Sequence, residues 1–319
     1  MAPIRQASKG LGALPRRLVN KHGACRLLGG TRLAQKVFMP RAVVMQSLSL
    51  WICIVASIGA QSAGASPYVN RYHLEPLHDG VSGLRGRFGQ EQLELLEKIN
   101  RSDVEHLGRL REIVVPDSWV SDELAYSVLP ARYAASEKLS KLLVVYQPAQ
   151  LFGAYEFGRL VRWGPISSGR RSAPTPSGLF RLNWRSTAHR STRNPEWFMR
   201  WYFNFENRLG LSFHEYSLPG RPASHSCIRL LGRDARWLFS WGDPWTLDAS
   251  QTRILQAGTP VYIIGQYDFD APPSWRSVEE QIPNVELPDY VGSFQGTSFS
   301  FGARHFPTTI LSSPQYVTL

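Results

Sequence analysis

Within PASHSCIRLL (222–231), Cys227 follows His225 by two residues and His214 by thirteen. A cysteine can be a small buried hydrophobe or a nucleophile. As a nucleophile it needs a base or cation to hold it as thiolate, since a free thiol has a pKa of about 8.5. It also needs hydrogen-bond donors for the oxyanion formed when it attacks a carbonyl. His214 closes the strand-like run LGLSFHEY (209–216), and Cys227 lies on the next segment. The intervening loop carries Pro219-Gly220 and Pro222, turn residues able to bring the two face to face. Histidine and cysteine also bind zinc. With three candidates and no second cysteine pair, a metal site is the weaker reading, and none is assigned.

Several elements must position these groups. From residue 139 the sequence is β-rich: KLLVVYQPAQ, LFGAYEFG, RLVRWGPISSG and GLFRLNWR are short apolar or alternating runs between Gly, Pro and Ser turns. Residues 155–159 read as a hairpin turn, and Pro174–Gly178 as a rigid turn before a strand at 179–184. DARWLFSWG (234–242) predicts a short helix with Asp234 as N-cap, Trp237 and Leu238 inward and Gly242 as its stop. GTPVYIIGQY (258–267) predicts a closing buried strand. The fold expected is mainly β, a sandwich with one or two short helices, preceded by a small helical segment. In that segment EQLELLEKIN places Leu93, Leu96 and Ile99 on one helical face, and VEHLGRLREIVVP adds a short helix or turn and a small strand. Residues 66–90 read as extended or loose, and 269–319 as a peripheral Pro/Gly/Ser-rich tail. The division is therefore 1–65, 66–138, 139–268 and 269–319.

The formal charge of +11 suggests a nucleic-acid binder until it is located. Residues 1–65 hold nine Lys/Arg and no Asp or Glu, which leaves +2 for the rest, so no nucleic-acid partner is expected. Arg41 ends a positive region, residues 42–60 are apolar, and Ala63-Gly64-Ala65 fits a small-x-small cleavage site. This reads as a secretion signal, with Met39 as an alternative start giving more ordinary proportions. Gln46 and three serines in the apolar stretch argue against a permanent membrane anchor. The expected location is the periplasm or cell envelope. Cys25 and Cys53 would leave with the leader, making Cys227 the lone mature cysteine, without an intrachain disulfide partner. The count alone leaves both readings of its thiol standing.

Three ordered motifs extend this. Thr175-Pro176-Ser177-Gly178 followed by Phe180, then His214 with Ser224-His225-Ser226-Cys227-Ile228-Arg229, then GTPVYI, together resemble the L,D-transpeptidases, cysteine enzymes that remodel bacterial peptidoglycan. The resemblance covers about residues 139–266. It implies Cys227 as nucleophile and His214 as base, the histidine's second ring nitrogen held by the main-chain carbonyl of Glu215. It implies an oxyanion hole from the amides of His225, Ser226 and Cys227, with Ser224 and Arg229 supporting the loop and orienting substrate. For Arg229, a buried guanidinium tying loops together is an equal reading. The family has glycine where this chain has Glu215 and Ser226. The Glu215 charge would raise the pKa of His214, and a serine at positive φ would be strained. In the aromatic stretch 194–207, Trp197, Trp201 and Tyr202 are candidates for a substrate groove, with Tyr202 preferred; core packing is the competing reading.

The reaction implied is attack of Cys227 on a tetrapeptide stem and transfer of the acyl group to an amine, which makes a cell-wall cross-link without a cofactor. Peptidoglycan stem peptides are the expected partners. Transfer to water, an L,D-carboxypeptidase, or to a protein anchored on the wall would use the same intermediate. A non-catalytic peptidoglycan-binding protein and an unrelated cysteine hydrolase compete with these. The pattern over 86–117 resembles a lysin motif (LysM), which implies contact with glycan strands; a helical linker packed on the main domain competes with it.

Overall fold

The computed structural model describes residues 70–191, 194–282 and 285–289. The expected secretion signal and cleavage site, and the end of the expected tail, lie outside the described residues. Residues 70–90 are more ordered than their composition suggests: strand β1 (Tyr72–Pro76) and helix α1 (Gly80–Arg87) occupy them. Helices α2 (Gln90–Ile99) and α3 (Val104–Leu107) follow, and then strand β2 (Glu112–Pro116), which pairs antiparallel with β1. The apolar stripe foreseen on α2 divides: Leu93 and Leu96 join Leu77, Leu84, Leu107, Ile113 and Val115 in a small core, while Ile99, with Leu95, packs into the core beneath the β-rich region that follows.

Ten strands lie in the β-rich region before the closing strand: β3 (Leu142–Tyr146), β4 (Leu151–Glu156), β5 (Arg159–Ser167), β6 (Gly178–Arg181), β7 (Arg185–Arg190), β8 (Phe198–Glu206), β9 (Leu211–Glu215), β10 (Ile228–Leu230) and the short hairpin β11 (Thr246–Leu247) and β12 (Ile254–Gln256). Helix α4 (Gly232–Trp241) follows β10, and β13 (Pro260–Ile264) closes the set. Apart from the β11–β12 pair, these strands form one sheet in the order β6-β13-β3-β4-β5-β10-β9-β8-β7. The β4–β5 hairpin turns at Phe157 and Gly158, both at positive φ, as a two-residue primed turn requires.

The molecule is mainly β, and its two facing layers are halves of a single curled sheet rather than separate sheets. Phe180 on β6 and Phe205 on β8 lie near opposite ends of the strand order, yet their rings meet edge to face at 5.4 Å. Between the halves lies a core of Leu143, Val145, Phe152, Ile166, Phe203, Phe213, Ile228, Leu230, Val261 and Ile263, capped by Leu238 of α4. The start of α4 differs from expectation. Its N-cap is Leu231, and Asp234 sits inside the first turn, fully buried, where Arg162 binds it at 2.7 Å. A buried carboxylate needs a paired cation, and that demand outweighs its capping preference. The first part of the tail is also packed: Trp275 is buried, and Val285 and Leu287 pack on the core beneath β3–β5.

Candidate active site

Strands β9 and β10 run parallel, with Ile228 opposite Phe213 and Arg229 opposite His214. Side chains alternate across a sheet, so the pair has two distinct faces. Phe213, Ile228 and Leu230 enter the core. Ser212, His214 and Arg229 take the other face, and Cys227 joins them, its Sγ 3.5 Å from the Ser212 hydroxyl. The loop between the strands therefore returns the chain to the starting end of β9 before β10 begins. His214 and the cysteine that follows it in sequence thus share one polar surface.

Burial and one hydrogen bond set the state of His214. Its Nδ1 lies 3.0 Å from the Glu215 carbonyl oxygen, an acceptor only. Nδ1 must therefore carry the proton, leaving the Nε2 lone pair to accept one. Burial drives its pKa down to about 4; the Glu215 carbonyl opposes this, and the positive charges of Arg229 and His189 add to it. The sequence-level expectation that the Glu215 carboxylate raises this pKa is not met. That side chain turns away, toward Arg200 (3.8 Å) and Gly232. The imidazole is neutral at pH 7, the state a general base requires.

The loop carrying Cys227 is stitched to the turn that precedes β6. Ser226 has φ +77°, the backbone conformation that glycine adopts without cost. Its hydroxyl donates to the Ala173 carbonyl at 3.1 Å, while the Thr175 hydroxyl donates to the Ser226 carbonyl at 2.9 Å. Thr175 Oγ1 also accepts from the Gly169 amide at 2.8 Å. A Cβ on Gly169 would stand 2.2 Å from the Ala173 carbonyl, so only glycine permits this approach. The Ser224 hydroxyl donates to the Cys227 carbonyl, and the Arg170 amide to the Ser224 carbonyl at 3.0 Å. Ser226 thus keeps a glycine-like backbone and ties it down with a bond that glycine lacks.

The remaining candidates separate. The Trp197 ring lies 4.7 Å from that of His225, at the rim of the site. Trp201 sits at a bulge in β8, with φ +52°, and packs against the core and Phe239. Tyr202 is only 2% exposed; it stacks on Trp184 and donates to the Gly210 carbonyl at 3.3 Å. That same carbonyl is 3.9 Å from Cys227 Sγ, so Tyr202 stands behind the thiol's surroundings rather than at their surface. Arg229 lies over the Tyr216 ring at 4.5 Å and donates to the Ser217 carbonyl at 3.4 Å, which ties the crossover loop. Sequence reasoning missed Ser212, whose hydroxyl lies 3.5 Å from the thiol. A buried serine in an apolar strand carried the signal, but only strand register shows which side chain it meets. It also passed over His189, whose ring lies tilted 4.3 Å from that of Tyr202 and which acts electrostatically on His214. Among the described residues, no group of three or more His, Cys, Asp or Glu is arranged to hold a metal, and no helix is long and apolar enough to cross a membrane.

Comparison with known proteins bears on the same region. Residues 140–263 match the YkuD family model, the L,D-transpeptidase catalytic domain. This segment is an L,D-transpeptidase-family domain. It contains His214, Cys227 and every strand of the large sheet except the last residue of β13. Among solved structures, an L,D-transpeptidase from Stackebrandtia nassauensis is similar at 21% identity, covering 41% of this chain and 58% of that one, with a TM-score of 0.33. One from Mycobacterium smegmatis is 20% identical, covering 40% and 59%, with a TM-score of 0.32. The chain thus spans less than two thirds of either structure. No curated protein matches it.

Proposed function

We propose that this chain is an exported peptidoglycan L,D-transpeptidase acting through Cys227. The observation that carries the reading is the shared face of β9 and β10, where a neutral, Nε2-accepting His214 on β9 and the Cys227 thiol, one residue before β10, fall within the L,D-transpeptidase-family segment. In acylation, Sγ attacks the amide carbonyl that follows the third residue of a tetrapeptide stem. The thiol proton passes to His214 Nε2 and then to the leaving nitrogen, so free D-alanine departs and a thioester remains. The amides of His225, Ser226 and Cys227 would receive the oxyanion. An amine from a second stem attacks the thioester, gives its proton to His214 and forms the cross-link while regenerating the thiol.

Within this reading, Ser224 and the Thr175–Ser226–Ala173 stitches hold the oxyanion loop, Glu215 acts through its carbonyl, and Arg229 orients substrate beside Tyr216. Residues 86–117 would contact glycan strands. The two-stranded sheet, its helices and their small core support a recognition element there, one also packed on the catalytic domain through Leu95, Ile99 and Val114.

Mature protein incubated with disaccharide-tetrapeptides, beside Cys227→Ala, tests this by mass spectrometry. Cross-linked dimer and released D-alanine, both absent from the variant, are expected. Tripeptide without dimer would make the chain an L,D-carboxypeptidase. No conversion, together with no adduct on Cys227 after imipenem treatment of folded protein, would overturn both enzymatic readings.

A further inference from the structure

The loop from His214 to Cys227 is held at its far end by the catalytic domain: the Ser167 hydroxyl donates to the Arg221 carbonyl at 2.7 Å, and the Ser168 carbonyl accepts from the Ala223 and Ser224 amides. Its near end is held from elsewhere. The Asp103 amide donates to the Leu218 carbonyl at 3.0 Å, and an Asp103 carboxylate oxygen accepts from the Leu218 amide at 2.6 Å. Ser102 pairs as an isolated bridge with Pro219. Gly220, at φ +72°, lies so close that a Cβ would stand 2.7 Å from the Ser102 hydroxyl. The other Asp103 oxygen is fixed by the His106 amide at 2.9 Å and by the His106 ring at 2.7 Å.

Strand β10, which begins just after Cys227, leads into the same support. Arg233, at the start of α4, pairs with Glu97 and donates to the Glu94 carbonyl at 2.7 Å. Between the two clamps lies a cleft of about 370 Å³ lined in part by Glu97, Asp103, Tyr216, Ser217, Leu231 and Arg233. Across that gap, the Asp103 hydrogen bonds hold a loop residue, Leu218, that is itself fully buried. Tyr216, two residues before the clamp, touches both the His214 ring (6.0 Å, edge-on) and Arg229 (4.5 Å).

We propose that Asp103 is a positioning residue: the amino-terminal unit, through its two-point grip on Leu218, sets His214 against Cys227. The inference rests on the cysteine-enzyme reading above and assigns the amino-terminal unit a part in it beyond recognition. Small displacements of a base from its nucleophile cost rate far more than affinity.

The full mature chain and its Asp103→Ala and Asp103→Asn variants test it. Imipenem acylation is followed over a concentration series, and Cys227 alkylation by iodoacetamide, which needs no binding site, runs in parallel. For Asp103→Ala we expect a plateau acylation rate lower by about tenfold or more, with half-saturation within about twofold of wild type. Asp103→Asn keeps an acceptor for the Leu218 amide and should fall in between. An Asp103→Ala plateau equal to wild type overturns the proposal. If that variant does not fold, Asp103→Asn decides by the same criterion. If wild type itself resists imipenem, the transpeptidase reading is in doubt. The alkylation rates then decide the present proposal, equal rates in wild type and variants overturning it.

Discussion

The two faces of the β9–β10 pair are built to different rules. On one, Phe213, Ile228 and Leu230 are almost fully buried among aliphatic and aromatic neighbours. On the other, Ser212, His214 and Cys227 are held by hydrogen bonds of defined direction. The first face resists change in volume and the second resists change in geometry. One residue of register separates them, so stability and reactivity are carried by alternate positions of the same few residues.

The sharpest way to break this contrast is His214→Gln. Loss of a general base is expected to slow acylation by about 10²- to 10⁴-fold, while the melting temperature at pH 7 stays near that of wild type. A variant that unfolds instead would place His214 on the structural side. Next is Phe213→Ala, expected to cost about 3–5 kcal/mol in urea unfolding through lost burial and the cavity left behind. A cost below about 1 kcal/mol would mean that this face is not a packed core.

Acid offers a third test. The folded chain binds the His214 proton less readily than the unfolded chain, whose histidine has its ordinary pKa of 6.5 against about 4. The stability this contributes is fully present above about pH 6.5 and is lost as pH falls toward 4. Thermal melts across that interval should show an acid limb that His214→Gln flattens; an unchanged limb would assign it to other groups. The smallest effect is expected at Ser226. Ser226→Ala keeps the positive φ and loses the bond to Ala173, so it should be less stable by about 1 kcal/mol. Ser226→Gly loses the bond and also the strain, and should stand closer to wild type in chemical denaturation. The reverse order would show that the hydroxyl contributes little.

Much of this was legible in the sequence. The alternation in LSFHE and CIRL marks one apolar and one polar face, and the turn residues mark the hairpins and the crossover. The mainly β class follows from the same patterns. Less legible was anything that depends on distant partners. Asp234 reads as a helix cap until Arg162 is seen beside it. Nothing local marks Lys98 and Arg101 as buried, yet Lys98 binds Glu123 and the Trp163 carbonyl, and Arg101 binds the Ala149, Lys98 and Ile99 carbonyls. The curl that turns one sheet into two layers leaves no local mark, because it arises from how strands far apart in sequence accumulate twist.

The order of the large sheet also has a consequence in time. β13, its last strand in the chain, lies between β6 and β3, parallel to β3 and antiparallel to β6. Until residue 264 has been synthesised, β3 presents an open edge and the core lacks Val261 and Ile263. A nascent chain can therefore hold every residue of the catalytic pair and still have no closed sheet to carry them. Closure of this sheet waits for its final strand, and an unpaired β3 edge is the kind of surface that invites misassembly.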